Sequence, residues 1–509
     1  MACGHPVTAA AARDVIREGG NAFDAVIAAL WAACAAEPLL VSPGGGGFLL
    51  ARPAEGPARV YDFFVQTPGR RFPAEQEDFR RIEVDFGAAR QAFHIGLGSA
   101  AVPGIVAGAF RLHRELGSVP MLRLIAPAVA AAREGVEILP LQTYLAQVLS
   151  PILGDTPGTR ALFLPEGTLL ARGDRHRQPE LADFFDALAR EGPDLMYRGE
   201  VARAVDLASR SGGGHLRLAD FEGYEVQVRA PLELEYRGHR VLTNPPPASG
   251  GLLVSFALAL LAEGDPLTSV PRDVRRLAAT LDLVQQARQG EGLLDRVDQE
   301  SVDRLLDPEC LARYREVLSL HPRAREATTH ISVLDARGNA ASLTGSNGEG
   351  SGWVMPGTGA MLNNMLGEAD LQPRGFGRWP PDTRLTSMMA PTVVEEARGA
   401  GLTVLGSGGS NRIRSAILQV LLGLLDQHLP ASSAVARPRL HLEEGRLEIE
   451  GGFESEAVDG LTARWPEHRV WPGLNLFFGG AHVVRHSRKG WSGAGDPRRG
   501  GVSWVGDDG

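Results

Sequence analysis

The chain alternates between apolar and polar positions from Thr328 to Asp335, turns through Ala336-Arg337-Gly338-Asn339, and alternates again from Ala340 to Thr344. Period two on both sides of a Gly-Asn turn predicts a β-hairpin. Helical spacing runs instead from Val7 to Glu18 and stops at Gly19-Gly20-Asn21, and an alanine-rich helix from Asp24 to Ala36 ends at Glu37-Pro38. Gly44 to Gly47 permits backbone geometry that side chains forbid, and opens onto predicted strands at Phe48–Arg52 and Arg59–Val65. From Val102 to about Arg210 the pattern is mostly helical, broken at Pro120, Pro127, Pro140 and Pro151. Gly238–Leu242 reads as a strand entering the Pro245–Gly251 loop, followed by a buried helix at Leu252–Glu263 and an amphipathic one at Arg272–Gln289.

Asp295–Glu326 is charged, holds Pro308 and Pro322, and reads as a surface linker. Beyond the hairpin, Gly357–Asn364 reads as a turn and strand, and the glycine- and proline-rich Gly367–Asp382 as a mobile surface loop. Leu402–Gly406 is a predicted strand ending in a glycine loop that opens the helix Arg412–Asp426. Strands at both ends of the chain around long helical stretches suit a layered α/β body.

Composition narrows the function. The 509 residues are enough for two or three domains or one large α/β fold, and 44% hydrophobic with 22% charged residues is ordinary for a globular protein. A net charge of −9 without a clustered Lys/Arg stripe argues against a nucleic-acid partner. The longest uncharged apolar run, Ala25–Ala36, is too short to span a bilayer, so no membrane partner is expected. Met1–His5 shows no basic region leading into an apolar core, hence no signal peptide and, as written, a cytoplasmic protein. Cys3, Cys34 and Cys310 are odd in number and far apart, which implies no disulfide framework. Neither zinc spacing nor HExxH occurs, so no metal and no cofactor is expected. The glycine run lacks the Gly-Lys-Ser/Thr of a phosphate loop. Gly490-Trp491-Ser492-Gly493-Ala494 comes near the nucleophile-elbow pattern but has alanine where the last glycine belongs.

Thr328 stands where the charged run Arg323–Ala327 becomes a strand. β-Branched threonine suits a strand start in its own right. A sharper reading makes Thr328 a chain N-terminus. A threonine hydroxyl is a poor nucleophile without an adjacent base, and a free α-amine on the same residue supplies one, titrating near neutrality at roughly 7.7–8.0. That amine exists only if the Ala327–Thr328 bond is cut, and small Ala327 lets the hydroxyl of Thr328 reach its carbonyl carbon in an N-to-O acyl shift.

The stretch Thr328-Thr329-His330-Ile331-Ser332-Val333-Leu334-Asp335-Ala336-Arg337-Gly338-Asn339-Ala340 resembles the start of the small subunit of γ-glutamyltransferases, N-terminal-nucleophile hydrolases that cut themselves before this threonine. Further blocks follow in that family's order across nearly the whole chain: Gly19–Ala25, Glu37-Pro38, Gly44–Phe48, Val102-Pro103-Gly104, Pro245–Gly251, Leu362-Asn363-Asn364, Ser387–Thr392, Gly406–Ser410 and Asp496-Pro497-Arg498. The resemblance implies a four-layer αββα sandwich. It also implies a large segment, residues 1–327, and a small one, 328–509, that together form one body and remain a heterodimer after self-cleavage. Many relatives are exported, so a start upstream of Met1 would change the cytoplasmic expectation.

By the same resemblance Thr328 is nucleophile and base, and Ser346 is the hydroxyl that hydrogen-bonds it. The amides of Gly409 and Ser410 form the oxyanion hole, where a glycine turn opening a helix suits developing negative charge. Asn347, Thr386 and Ser387 hold the substrate's α-amino and α-carboxylate ends. Two departures stand out. Where the family has an arginine that clamps the glutamyl α-carboxylate, this chain has Phe64, which cannot make the arginine's two parallel bonds; Arg70 or Arg71 is the candidate replacement. The family's Asn-Asn-Gln-Met-Asp-Asp becomes Asn363–Glu368, leaving Glu368 to grip the substrate ammonium.

The implied function is hydrolysis or transfer of the γ-glutamyl group of glutathione or related small amides, to water or an acceptor amine. An acylase of the same family acting on a different acyl group stays open because of Phe64, and so does a non-catalytic homologue.

Overall fold

Strands Thr329–Leu334 and Ala340–Ser346 form the predicted hairpin, paired from Thr329 opposite Gly345 to Leu334 opposite Ala340. The Asp335 carboxylate closes its turn, accepting from the Arg337 and Asn339 amides at 2.9 and 3.0 Å. Its second oxygen reaches the Ala22 amide at 3.0 Å and so ties the turn to the start of a buried helix.

The computed structural model describes residues 1–85, 90–268, 272–294, 296–316, 328–372 and 374–506. In it the hairpin is the centre of a seven-stranded antiparallel sheet, ordered Val502–Ser503, Ala2–Cys3, Thr329–Leu334, Ala340–Ser346, Gly46–Arg52, Arg59–Phe63, Gln227–Arg229. A six-stranded antiparallel sheet is stacked on it, ordered Gly490–Ala494, Gly480–Ser487, Gly401–Gly408, Thr392–Glu395, His239–Thr243, Leu232–Tyr236.

Every residue of both hairpin arms is buried. Ile331, Val333, Ala341 and Leu343 pack into an apolar core shared with helix Ala22–Ala36. The alternate polar residues bond across to the second sheet. Ser332 Oγ donates to the His482 carbonyl at 3.1 Å, and Ser342 Oγ donates to the Leu405 carbonyl at 2.9 Å. His330 is enclosed between Thr344 Oγ1 at 2.8 Å and Ser332 Oγ at 2.9 Å, in space that a side chain on Gly406 would fill. Alternation here therefore marks the seam between two sheets, where buried polar groups must find partners, rather than a water-facing edge.

Helix Ala22–Ala36 is apolar all round and buried at all 15 residues, as such a helix must be. Asn21 starts it: its Oδ1 accepts from the Phe23 and Asp24 amides, each at 2.8 Å, and the Asp24 carboxylate returns to the Asn21 amide at 3.0 Å. On the other side of the molecule, helices Gly250–Ala262 and Arg412–Leu425 cover the second sheet, and Arg272–Gly290 lies against the first of them. Helix, sheet, sheet, helix is the expected αββα order.

Two expectations hold only in part. Within Asp295–Glu326, Gln299–Leu305 and Pro308–Glu316 are helices, and Val302, Leu305 and Cys310 sit in the core beside Gly250–Ala262. Val302 and Leu305, three apart on one helix, and Cys310 on the next bury one side of this stretch despite its charge, so it is not simply a surface linker. Residues 317–327, including Ala327 of the expected cleavage point, lie outside the described residues. The loop Gly367–Asp382 lies at the surface as expected, exposed at residues 374–378 and 380–382, but two of its aromatic side chains tie it to the body. Trp379 is buried, and the Phe376 ring centroid lies 4.2 Å from His94 and 5.4 Å from Phe79. Among the described residues no helix is long and apolar enough to cross a membrane.

Candidate active site

Continuing the hairpin register one step past Thr329–Gly345 sets Thr328 opposite Ser346, at the open end of the hairpin. The Thr328 carbonyl is held from two sides. Arg499 Nη1 donates to it at 2.9 Å, and it lies against the backbone of Gly408, where any Cβ would overlap it. Arg499 is buried, which lowers its guanidinium to about 10. Beside it, Glu37 Oε1 accepts from Thr329 Oγ1 at 3.4 Å, and burial raises the Glu37 carboxyl to about 7 although Thr329 and Arg499 favour its ionised form.

The strand Gly401–Gly408 runs out beside Thr328 and turns into helix Arg412–Leu425 through Gly409 (φ 122°) and Ser410 (φ 49°). Among the described residues neither turn amide donates to a backbone acceptor. The Ser410 conformation is one that side chains rarely adopt, and strain of this kind persists where the surroundings impose it. Here the surroundings include a carboxylate: Asp370 Oδ2 accepts from Ser410 Oγ at 3.1 Å and Asn411 Nδ2 at 2.7 Å. Burial raises the Asp370 carboxyl above its ordinary range. A glycine turn that opens a helix thus follows directly on Gly408, the residue packed against the Thr328 carbonyl.

Thr328, Ser346, Glu368, Thr386, Ser387 and Ser410 line one cleft of about 590 Å³, open mouth included. Ser346 Oγ accepts from the Gly348 amide at 3.0 Å. Thr386 Oγ1 donates to the Pro247 carbonyl at 2.8 Å, while the Ser387 carbonyl accepts from the Ser249 amide at 2.9 Å. Those contacts bind the Pro245–Gly251 loop to the Ser387–Thr392 segment, and a side chain on Gly250 would collide with Met388. Two of the sequence blocks are therefore one wall of the cleft.

Gly409 and Asn347 are not part of the cleft wall. Gly409 directly precedes Ser410, which does line the cleft. Asn347 was expected to bind substrate; it is fully buried behind the cleft, its Oδ1 close to the space beside Gly45. The Asn347–Gly350 loop folds inward, with the Glu349 and Gly350 amides donating to Asn364 Oδ1 at 3.0 and 3.2 Å, and carries Asn347 away from the cavity.

The match to known proteins is full length. Residues 8–505 fit the family model described as gamma-glutamyltranspeptidase. The chain belongs to that family. Within it, the chain is 31% identical over 489 residues to the acylase ACY 1 proenzyme of Pseudomonas sp. (strain SE83), covering 90% of this chain and 85% of that protein. It is 29% identical over 502 residues to the glutathione hydrolase proenzyme of Bacillus subtilis (strain 168), covering 91% and 84%. In fold it is similar to the cephalosporin acylase of Bacillus halodurans, with a TM-score of 0.86 at 22% identity over 99% of this chain and 96% of that one.

Against the γ-glutamyltranspeptidase pattern, the acyl side of the cleft is what differs. Phe64 is a cleft residue, its ring 5.3 Å from that of Phe48 in a stacked pair. Neither suggested replacement arginine reaches in: Arg70 is exposed, and Arg71 stacks on Trp379 and bonds its carbonyl. The cation in the wall is Arg288, from helix Arg272–Gly290. Arg288, Arg499 and Asp370 were missed by sequence reasoning. Arg499 follows directly on the Asp496-Pro497-Arg498 block, a signal that was available; Arg288 and Asp370 lie in segments that read as a plain amphipathic helix and a surface loop. Ser492 of the near-elbow motif lies in an outer strand, pairs across to Arg485, and is not part of the cleft.

Proposed function

We propose that this chain is a self-processing amidase whose nucleophile is Thr328. In processing, Thr328 Oγ attacks the Ala327 carbonyl carbon, the C–N bond breaks, and the departing nitrogen takes the hydroxyl proton. Water then cleaves the resulting ester, leaving Ala327 with a carboxylate and Thr328 with a free α-amine. In turnover that amine accepts the Oγ proton as oxygen attacks the substrate amide, the Gly409–Ser410 amides stabilise the oxyanion, and the proton passes to the leaving amine. Water or an acceptor amine releases the acyl group from Thr328. The two segments stay together as a heterodimer, because each sheet contains strands from both, interleaved in the seven-stranded one.

The observation that carries this reading is Thr328 fixed at the mouth of a cleft directly beside a strained, helix-opening glycine turn. The family default is the γ-glutamyl group of glutathione or a related amide. A second reading, an acylase for a less polar acyl group, draws on Phe64, Met365, Met388, Met389 and Ile413 in the wall.

Denaturing gels with N-terminal sequencing test the proposal. Two bands are expected, the smaller beginning at Thr328, and Thr328→Ala should abolish both cutting and amide hydrolysis. An intact chain that turns over amide, or an active Thr328→Ala protein, would refute it.

A further inference from the structure

A second cleft, about 540 Å³ with its open mouth included, shares no wall residue with the one at Thr328. Helices Arg272–Gly290 and Arg412–Leu425 both contribute to it, and Leu267, Val274, Leu277, Leu422 and Phe453 make much of its wall apolar. The polar wall residues divide into matched and unmatched. Gln419 is fully used: its Nε2 donates to the Ser415 and Leu440 carbonyls at 2.8 and 2.7 Å, and its Oε1 accepts from the Leu440 amide at 2.8 Å. Arg437 is the reverse. Its backbone is fixed, the amide donating to the Ser433 carbonyl at 3.2 Å and the carbonyl accepting from Arg498 Nη2 at 2.6 Å. Its half-buried guanidinium has no acceptor or carboxylate among the described residues, and burial alone acts on it, lowering it from the ordinary arginine value. Asp273, the carboxylate in the described wall, therefore does not neutralise it.

The buried charges next to Arg437 are already balanced without it. Arg439 Nη2 bonds Asp496 Oδ2 at 2.7 Å, Arg498 Nη1 bonds Asp496 Oδ1 at 3.1 Å, and Arg498 Nη2 bonds Glu450 Oε2 at 2.5 Å. Arg439 also lines the cleft, is 2% exposed, and keeps a buried Nε with no acceptor. Two guanidiniums on one wall are thus short of acceptors, and one of them carries a surplus charge. Buried polar groups left unmatched are costly and rare, and a guanidinium is built to take a carboxylate through charge-assisted bonds. We propose that this cleft is a binding site for small apolar carboxylates, with the carboxylate on Arg437 and the apolar body against Leu277, Leu422 and Phe453. The site is independent of the Thr328 chemistry, although helix Arg412–Leu425 starts beside Ser410 and reaches the cleft through Leu422.

Calorimetry on the full-length protein tests this with three probes: benzoate, its uncharged analogue benzamide, and inorganic phosphate. Benzoate should bind wild type more tightly than either of the others, because only it offers both the charge and the apolar body. Arg437→Met should weaken benzoate by about tenfold to a hundredfold, the scale of a lost hydrogen bond to a charged group. Arg437→Lys should keep part of the affinity, and Phe453→Ala should weaken benzoate without touching the cation. Arg288→Met, altered in the Thr328 cleft, should bind benzoate as wild type does. Failure of wild type to bind benzoate would overturn the proposal, and so would binding unchanged in Arg437→Met or lost in Arg288→Met. Benzamide binding as tightly as benzoate would remove the role of the cation, and phosphate binding as tightly would remove that of the apolar wall; either result overturns the assignment. The comparison of probes on wild type decides the matter even if a variant fails to fold.

Discussion

Gly408 offers a steric test of how tightly Thr328 must be held. Its φ lies outside the left-handed region, so alanine is compatible with the backbone there. The obstacle is contact alone: a Cβ would overlap the Thr328 carbonyl oxygen and sit 2.8 Å from its carbonyl carbon. Carbon pairs settle at about 3.5–4.0 Å, so Gly408→Ala must push that carbonyl back by roughly 1 Å and disturb its bond from Arg499. Misplacement of that size at a reacting centre costs about a hundredfold in rate, while overpacking a core site costs about 1–3 kcal/mol of stability. The variant should therefore fold, self-cleave slowly, and lose about a hundredfold in kcat on a chromogenic amide. Gly473→Ala is the control, because a Cβ there meets nothing within 4 Å. The readouts are a time course of the Thr328-starting fragment, steady-state rates and thermal melting of each protein. A Gly408→Ala protein that matches wild type in processing and kcat would refute the view that the Thr328 backbone position limits the reaction.

Phe64→Arg should raise hydrolysis of γ-glutamyl-p-nitroanilide severalfold over a weak wild-type rate, while removing the Phe48 stack, worth about 0.5–1.5 kcal/mol beyond its buried area. Glutamate should then raise the melting temperature more in the variant than in wild type. Strong wild-type activity on that substrate would show that another residue already supplies the clamp. Glu37 makes a pH prediction. Its carboxyl ordinarily titrates near 4.5 and is raised to about 7 by burial in the fold, so between those values the unfolded chain has released a proton that the folded one keeps. Stability from this group therefore falls as pH rises from 4.5 to 7 and is level beyond. Glu37→Gln should gain stability relative to wild type across that window, read as a widening gap in melting temperature; a gap constant from pH 4 to 8 would contradict the assignment.

Local punctuation made much of the fold legible. The Gly-Asn turn, the Asn21 and Asp24 cap, and the glycine loop before Arg412 each act through backbone geometry within a few residues, and each element appears within a few residues of its expected bounds. Thr328, Ser346 and the Gly409–Ser410 turn were named by resemblance; they end regular elements, and Thr328, Ser346 and Ser410 meet in one cleft. What composition hid was long-range. The charged stretch after residue 295 concealed the buried face of Val302, Leu305 and Cys310. Arg288 and Asp370 become site residues only when a distant helix and a docked loop converge on one cavity. Asn347 failed for the opposite reason: resemblance assigned a role that the inward-folded loop does not let its side chain reach.

The way the site is divided also bears on the rival idea of a fold that has lost its chemistry. On the proposed reading, Thr328 and the Gly409–Ser410 turn are set by the main chain of the two sheets, whereas the side chains that would recognise the acyl group sit apart from them, Phe64 beyond one strand and Glu368 in a loop. Recognition can change at Phe64 without moving a strand. A scaffold would have no comparable reason to retain the catalytic half. Gly408 at the end of a buried strand gives up a side chain that would pack, and glycine weakens strands. Ser410 holds a left-handed conformation that costs about 1–3 kcal/mol. Both positions adjoin Thr328, and both costs gain meaning if the threonine carbonyl and two amides must meet a reacting carbonyl there. The altered clamp is therefore better read as a change of acyl group than as loss of catalysis. That reading forbids one outcome: a protein that self-cleaves at Thr328 yet acylates on no member of a γ-glutamyl, glutaryl and apolar amide panel.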